Sequence, residues 1–263
     1  MLRIVVLVEP VPDPASAAER LTSDWRLDRA AAPPVINGND EYALEAALKL
    51  VEQHGGEITC LTMAGHGATD TMRKALAMGA ARGVIVTDDA LAGSDVLSTI
   101  RVLAAALRDL EFDLAFAGID TSDGVGGVVH AGIAALLELP LLSYAARIEP
   151  DLESGLVRVR RISPQGYDLL EAPMPALIAC TQALGEPRYP SLKGIMAARS
   201  KEVVTRSLAD LALADGSVGG AVDTTEVLDA RQPQARAATR VIRDEPEAAA
   251  KQVVDFLAER KLI

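Results

Sequence analysis

The sequence predicts an α/β protein built on an open, mainly parallel sheet with helices on both faces, followed by an extended carboxyl-terminal arm. Three observations carry that reading. Strand-like and helix-like stretches alternate from residue 2 to about 140, an alternation that calls for a parallel sheet with crossover helices. The first strand is a continuous apolar run, as expected of a strand covered on both faces. From Leu184 onward the periodicity weakens, leaving too little apolar content for an independent core. The chain therefore divides into an α/β domain over residues 1–183 and a segment over 184–263 that packs on something else.

Leu2–Val8 is the β-branched opening strand, broken by Val11, Asp13 and Pro14. The stretch Ala15–Val35 has a polar start and ends in Pro33-Pro34, so it reads as an excursion from the sheet. Asn37–Asp40 offers caps for a helix that places Ala43, Ala47, Leu50 and Val51 on one face. Ile58–Met63 is the next strand, ended by the turn Ala64–Gly67. A helix over Thr69–Met78 stops at Gly79, and Val84–Val86 is a strand. Ser94 or Asp95 caps a helix carrying Val96, Ile100, Leu103 and Leu107. Asp113–Ala117 is a strand, followed by Gly118–Gly127 and an apolar helix through Leu137. Beyond Pro140, Leu142–Ile148, Leu156–Ile162 and Ala176–Cys180 read as strands joined by short turns, a partly antiparallel extension. Gly185–Ser200 is rich in Pro, Gly and Arg, Ala214–Gln234 reads as an extended arm, and Glu245–Ile263 closes with an amphipathic helix.

Composition narrows the function classes. Of 263 residues 49% are hydrophobic and only 3% aromatic, which favours tightly packed helices over an aromatic-lined pocket. A net charge of −11 argues against general binding to nucleic acid or anionic membranes, both of which need a basic field. Cys60 and Cys180 lie apart in apolar runs, as buried thiols of a protein in a reducing cytoplasm would. No apolar run approaches the roughly 18–20 residues of a membrane span, and the amino terminus lacks a signal-peptide cleavage site.

Three loops carry candidate chemistry. Gly118-Ile-Asp-Thr-Ser-Asp-Gly-Val-Gly-Gly127 lies between a strand and a helix, at the carboxyl end of a parallel strand where such sheets bind ligands. Its small residues would let backbone N–H groups approach a phosphate, with the following helix offering its positive end. It matches neither GxGxxG nor a P-loop, and taken alone it reads equally well as a tight turn. Asn37–Asp40 are first of all helix caps, although their side chains could also read an adenine edge or a ribose hydroxyl. Met63–Gly67 follows a strand on the same edge. Three such loops converging on one edge favour a nucleotide site over three plain turns, in keeping with a Rossmann-like sheet of the adenine-nucleotide-binding kind. His54, His66 and His130 lack metal-ligand spacing, and no nucleophile elbow or carboxylate pair stands out, which fits a binding or carrier role.

Two further stretches resemble a known family. Leu184-Gly-Glu-Pro-Arg-Tyr-Pro-Ser-Leu-Lys-Gly-Ile-Met-Ala-Ala-Arg-Ser-Lys201 is similar to the Glu-Pro-Arg-Tyr…Ile-Met block of electron-transfer flavoprotein β subunits, and Ala75–Gly83 resembles that family's ALAMGADRG turn. Asn37, Glu41, Ala43 and Glu45 match its first helix start, and Asp123–Gly127 is similar to the loop of the FixA-like bacterial branch.

The resemblance implies a heterodimer with an α subunit that holds most of the redox-active FAD, while the β subunit holds AMP as a structural cofactor. Carried over by position, the nucleotide contacts are Leu7, Asn37, Gly38, Asn39, Asp40, Met63, Thr121, Ser122, Asp123, Gly124, Val125, Gly126, Gly127, Val128 and Val129. The implied docking loop spans Pro190–Met196, with Arg188, Tyr189, Leu192, Ile195 and Met196 as partner-docking residues and Leu192 as the apolar anchor. The residues agree: Leu192 is an apolar side chain outside any periodic segment, in a stretch made locally basic by Arg188, Lys193, Arg199, Lys201 and Arg206. The implied partners are acyl-CoA or other flavin dehydrogenases as donors and a quinone oxidoreductase as acceptor, placing the chain in cytoplasmic fatty acid oxidation and electron transport without catalysis of its own. The sequence departs from the family at Glu9 (often Lys), Pro14 (Tyr), Val128 and His130 (Gln and Gly), and Ile162 (acidic). These departures leave AMP or a bifurcating subunit's second FAD open in the β site. A stand-alone adenine-nucleotide-binding protein of the universal-stress type is the rival from another class.

Overall fold

The apolar run at the amino terminus becomes the centre of the sheet. In the computed structural model, which describes residues 1–15, 20–65, 68–214, 216–231, 239 and 241–263, it forms β1 (Leu2–Leu7). Its side chains divide by parity between two cores, Leu2, Ile4 and Val6 facing one and Val5 and Leu7 the other. With both faces covered there is no polar face to alternate with, so the run is unbroken from Ile4 to Val8; Arg3, near the strand's start, pairs with Glu111 and Asp113. A small antiparallel ribbon, β2 (Pro10–Pro12) and β3 (Pro34–Ile36), closes the base of the excursion over residues 13–33.

The expected alternation then follows: α1 (Gly38–His54), β4 (Gly56–Met63), α2 (Ala68–Met78), β5 (Arg82–Val86), α3 (Val96–Arg108), β6 (Leu114–Gly118) and α4 (Val129–Leu136). The apolar faces of α1 and α2 bury into one core, those of α3 and α4 into the other, so helices cover both faces of the sheet. Of the two caps the sequence offers, Asp95 is the one that caps α3, accepting the Ser98 N–H at 2.8 Å.

Beyond α4, β7 (Leu141–Asp151), β8 (Leu156–Ser163) and β9 (Gly166–Pro173) form an antiparallel meander. β10 (Ala176–Cys180) does not continue it. It returns into the sheet between β6 and β7, parallel to both, and is fully buried. α5 (Leu192–Ala198) and β11 (Val203–Arg206) come next. The strand order is β11-β5-β4-β1-β6-β10-β7-β8-β9. The pairings from β11 to β7 are parallel and the last two are antiparallel.

Three elements differ from the sequence reading. The sequence does not mark β9; its outward side chains Tyr167 and Leu169 are apolar yet exposed, which erases the alternation that marks a half-buried strand. α5 stands where the sequence predicts a loop. It is a short helix capped by Ser191, whose hydroxyl accepts the Gly194 N–H, and only Ala198 in it is buried, so no amphipathic period is visible. β11 joins the sheet edge beside β5, so the compact unit runs from Met1 to Val227, past the 183/184 boundary drawn from composition.

A second unit, Leu228–Ile263, contains α6 (Pro246–Glu259), none of whose residues is buried. Among the described residues no helix is long and apolar enough to cross a membrane, and no cluster of side chains is suited to hold a metal ion. His66, Gly67 and parts of the Ala15–Val35 and Ala214–Gln234 stretches lie outside the described residues.

Phe116, on β6, is a large fully buried side chain in the core beneath α1. Phe116→Ala should lower the unfolding free energy by ~3–5 kcal/mol in urea denaturation, the range for emptying such a site.

Candidate functional site

β1 lies between β4 and β6, so the chain steps outward on one side through β4 and β5 and then returns to the other side of β1. The connections leaving the carboxyl ends of β1 and β6 diverge there. This reversal opens the crevice in which parallel sheets bind ligands. The ends of β1 and β6 and the start of α1 meet at it, and Asp40 ties them together. Its Oδ2 accepts the Glu9 N–H at 2.9 Å and its Oδ1 accepts the Gly118 N–H at 3.2 Å. Gly118 must lack a side chain, because a Cβ there would stand 2.6 Å from Asp40 Oδ1 and 2.9 Å from the Asn39 carbonyl carbon.

Asn37 and Asn39 hold the loop after β6. Asn37 Nδ2 donates to the Asp120 carbonyl at 2.8 Å, and its Oδ1 accepts the Ser122 N–H at 3.2 Å. Asn39 Nδ2 donates to the Asp120 carbonyl at 3.3 Å and to its carboxylate. Asn37 occupies the N-cap position of α1 but makes no side-chain cap bond, so its amide serves the loop rather than the helix. Within the loop, Thr121 accepts the Val125 N–H at its carbonyl and the Gly124 N–H at its hydroxyl. Val125 adopts φ 47°, a costly conformation for a β-branched residue, and is exposed. Gly126, Gly127 and Val128 are also exposed, and α4 starts without a side-chain cap. Leu7 and Met63 sit beneath, in the core under α3 and α4.

An arginine from the excursion closes over this edge. Arg29 pairs with the carboxylates of Asp123 and Glu9, the latter at 3.5 Å. The Asp123 side chain is almost wholly buried, and its Oδ1 has no hydrogen-bond partner among the described residues. Burial, reinforced by the charge of Asp123 and opposed by Arg29, pushes Glu9 up to about 7. Burial pushes Asp40 up to about 8, despite the two backbone donors that favour its charged form. His130, just inside α4, is held below the usual imidazole range by burial.

The second candidate region is elsewhere on the molecule. β10 and β11 are parallel, so residues 181–202 must run from the carboxyl end of the first to the amino end of the second. They cross the outer surface of α1 and α2, and α5 packs on α2 close to where α2 ends ahead of β5. Tyr189, Leu192, Ile195 and Met196 are exposed along this crossing, Leu192 at 76%. Arg188 points the other way, toward Glu45 and Glu52 of α1.

The electron transfer flavoprotein domain matches residues 24–211, covering the α1 start, the β6 loop and the whole crossing segment. The chain is 39% identical over 269 residues to the electron transfer flavoprotein subunit beta of Mycobacterium bovis, both chains being covered in full. It is 32% identical over 270 residues to the Thermoanaerobacterium thermosaccharolyticum protein of the same name, again over both full lengths. Protein FixA of Azorhizobium caulinodans is 39% identical over 225 residues, 83% of this chain and 80% of that one. The chain belongs to the electron transfer flavoprotein family.

In this member of the electron transfer flavoprotein family, the positions from Asn37 to Asp40 and from Thr121 to Val129 gather at one sheet edge, with Leu7 and Met63 below. Arg188, Tyr189, Leu192, Ile195 and Met196 lie on the crossing segment instead. Three participants were missing from the candidate site residues. Asp120 sits one residue before the loop positions that the resemblance implies, and Glu9 stands out in the sequence only as a departure from the family. Arg29 lies in a stretch with no periodicity, so nothing local marks it.

The raised acids fix the sign of a pH dependence. The folded chain holds protons on Asp40 and Glu9 that the unfolded chain releases in the ordinary carboxylate range. Their contribution to stability is therefore whole below about pH 4 and is lost as pH rises through about 7–8. Thermal unfolding midpoints should fall between about pH 5 and 8.5, and Asp40→Asn should flatten that slope while lowering stability overall; an equally steep slope in the variant would remove Asp40 as its origin.

Proposed function

We propose that this chain is the β-type subunit of a heterodimeric electron carrier: it retains AMP at the β1/β6 edge, helps an α subunit hold FAD, and docks dehydrogenases through the segment around α5. Electrons then pass toward the respiratory chain through a quinone oxidoreductase. The observation that carries the reading is the pairing, on one chain of this family, of an open glycine-rich loop at the sheet's reversal with an exposed apolar helix on the crossing segment.

The loop residues suit a nucleotide. Gly126 and Gly127 leave backbone exposed at the start of α4, where a phosphate would meet the helix's positive end. Among the described residues the buried Asp123 Oδ1 has no donor, and ribose hydroxyls and the adenine amino group are donors. The buried Asp40 bridge would keep the β1, β6 and α1 ends in register for such a ligand, and Arg29 would shield the acidic cluster beside it. FAD, when bound with the α subunit, supplies the redox chemistry. This chain's residues orient, cover and dock. On the docking side, Leu192 and Met196 give a small apolar anchor on a locally basic surface, the arrangement by which modest interfaces gain affinity.

Three measurements test the reading. Protein purified with its α subunit should release AMP and FAD in equal amounts. Two flavins without AMP would make it a bifurcating subunit, and a self-associated chain without an α subunit would make it a stand-alone nucleotide binder. Asp123→Arg should deplete AMP from the heterodimer; full retention would show that the loop does not hold it. Leu192→Ala should raise the KM for reduction by an acyl-CoA dehydrogenase about tenfold or more, as loss of a hot-spot anchor does, with FAD content unchanged.

A further inference from the structure

α5 has seven residues and buries only Ala198, too little to hold a helix in place by itself. It is fastened at both flanks. On the carboxyl side, Arg73 of α2 donates to the carbonyls of Ala198, at 2.7 Å, and Lys201. Lys201 in turn reaches the carbonyls of Leu76 and Ala80 at 2.9 and 2.6 Å, closing the end of α2. In the middle, Gly194 lies against the Ala77 carbonyl so closely that a Cβ would stand 2.3 Å from its oxygen.

The other flank is held by charge. Arg188 donates its backbone N–H and Nε to Glu45 Oε2 at 3.2 and 2.7 Å, and its Nη2 to Glu45 Oε1 at 3.1 Å. Its Nη1 and Nη2 also reach Glu52. Lys49 stands 3.8 Å from Glu45 and donates to the Leu184 carbonyl at 3.4 Å. Glu45, Lys49 and Glu52 are spaced four and three apart, so they form one row along α1. Within that row Glu45 is the buried member, its side chain 5% exposed, and a buried carboxylate needs its cation. Glu45 and Arg188 fall in two separate stretches among those that carry the family resemblance, and the fold joins them.

We propose that Glu45 and Arg188 are positioning residues for dehydrogenase docking: their buried, forked ion pair fixes the crossing segment on α1, so that α5 presents Leu192 and Met196 already ordered. Arg188 thus serves the interface from behind and does not touch the partner. The proposal rests on the docking reading above. Its physical content is preorganisation, since a docking helix that is loose in the free protein must be ordered at every encounter.

The test uses the intact heterodimer, reduced by a purified acyl-CoA dehydrogenase, with amide hydrogen exchange read over residues 189–199. Glu45→Gln keeps the side chain's shape and removes its charge. It should raise KM by about tenfold with kcat little changed, and speed exchange over α5 by a similar factor, the scale of one lost ordering contribution. Arg188→Ala should do the same and Arg188→Lys should fall between, because an ammonium keeps the charge without the fork. If Arg188→Ala does not fold, the other two substitutions carry the test. Leu192→Ala should raise KM and leave exchange unchanged; normal KM there would sink the docking reading, while exchange in the Glu45 and Arg188 variants would still decide the brace. A raised KM in Arg188→Ala without faster exchange would make Arg188 a direct contact and overturn the proposal. So would unchanged KM and exchange in Glu45→Gln.

Discussion

A carboxylate removed from water must find donors, and Asp40 finds two in the backbone N–H groups of Glu9 and Gly118. Those groups belong to chain segments about thirty and eighty residues away, so one side chain fixes how the ends of β1 and β6 meet the first turn of α1. The rest of that edge follows. Asn37 and Asn39 can bridge to Asp120 and Ser122 only because α1 begins at this height, and the glycine-rich loop is held at its root while its tip stays open. The bridge also explains Gly118, since any side chain there would displace the carboxylate. Its cost is a raised affinity for protons, shared with Glu9, in a cluster that Arg29 only partly neutralises.

Parallel topology has a second consequence. A strand such as β10, placed in the middle of the sheet, cannot reach a parallel strand at the far edge by a turn. The chain must cross the outside of α1 and α2, and residues 181–202 do so. Surface crossings without a core of their own are costly to order unless they are tied down. Here the ties are Arg188 on α1 and Arg73 and Lys201 on α2, and the apolar side chains between them are left outward. The nucleotide-type loop thus sits at the strands' carboxyl ends, whereas α5 lies toward the amino ends, so the two regions are separate surfaces of one sheet.

The parts that were legible in the sequence are those where one physical effect dominates locally. β1 shows as an apolar run because both its faces are buried, and α3 shows through its Asp95 cap and its apolar stripe. The loop after β6 shows because glycines cluster there. What stayed hidden depends on distant partners. β10 enters the sheet between β6 and β7 because its all-apolar face set needs two cores, a fact that its five residues cannot express. β9 hides behind outward-facing Tyr167 and Leu169, and β11 is four half-exposed residues whose pairing with β5 comes from across the chain. Arg29 and Glu45 are ordinary charged residues until the fold sets them against Asp123 and Arg188.

The second unit carries the argument one step further. α6 is 14 residues long with no buried residue, and Val253 and Val254 are exposed on it. Helices of that length are marginal in water on propensity alone, so most of their stability has to come from an apolar face against something. Leu228, Val241, Leu262 and Ile263 are exposed in the same unit. Exposed apolar groups of this kind are what interaction sites present. In the heterodimer we propose, the α subunit covers them. Chain ordering in the second unit and assembly would then be one event, and a truncation ahead of Glu245 would weaken the complex without disturbing the sheet.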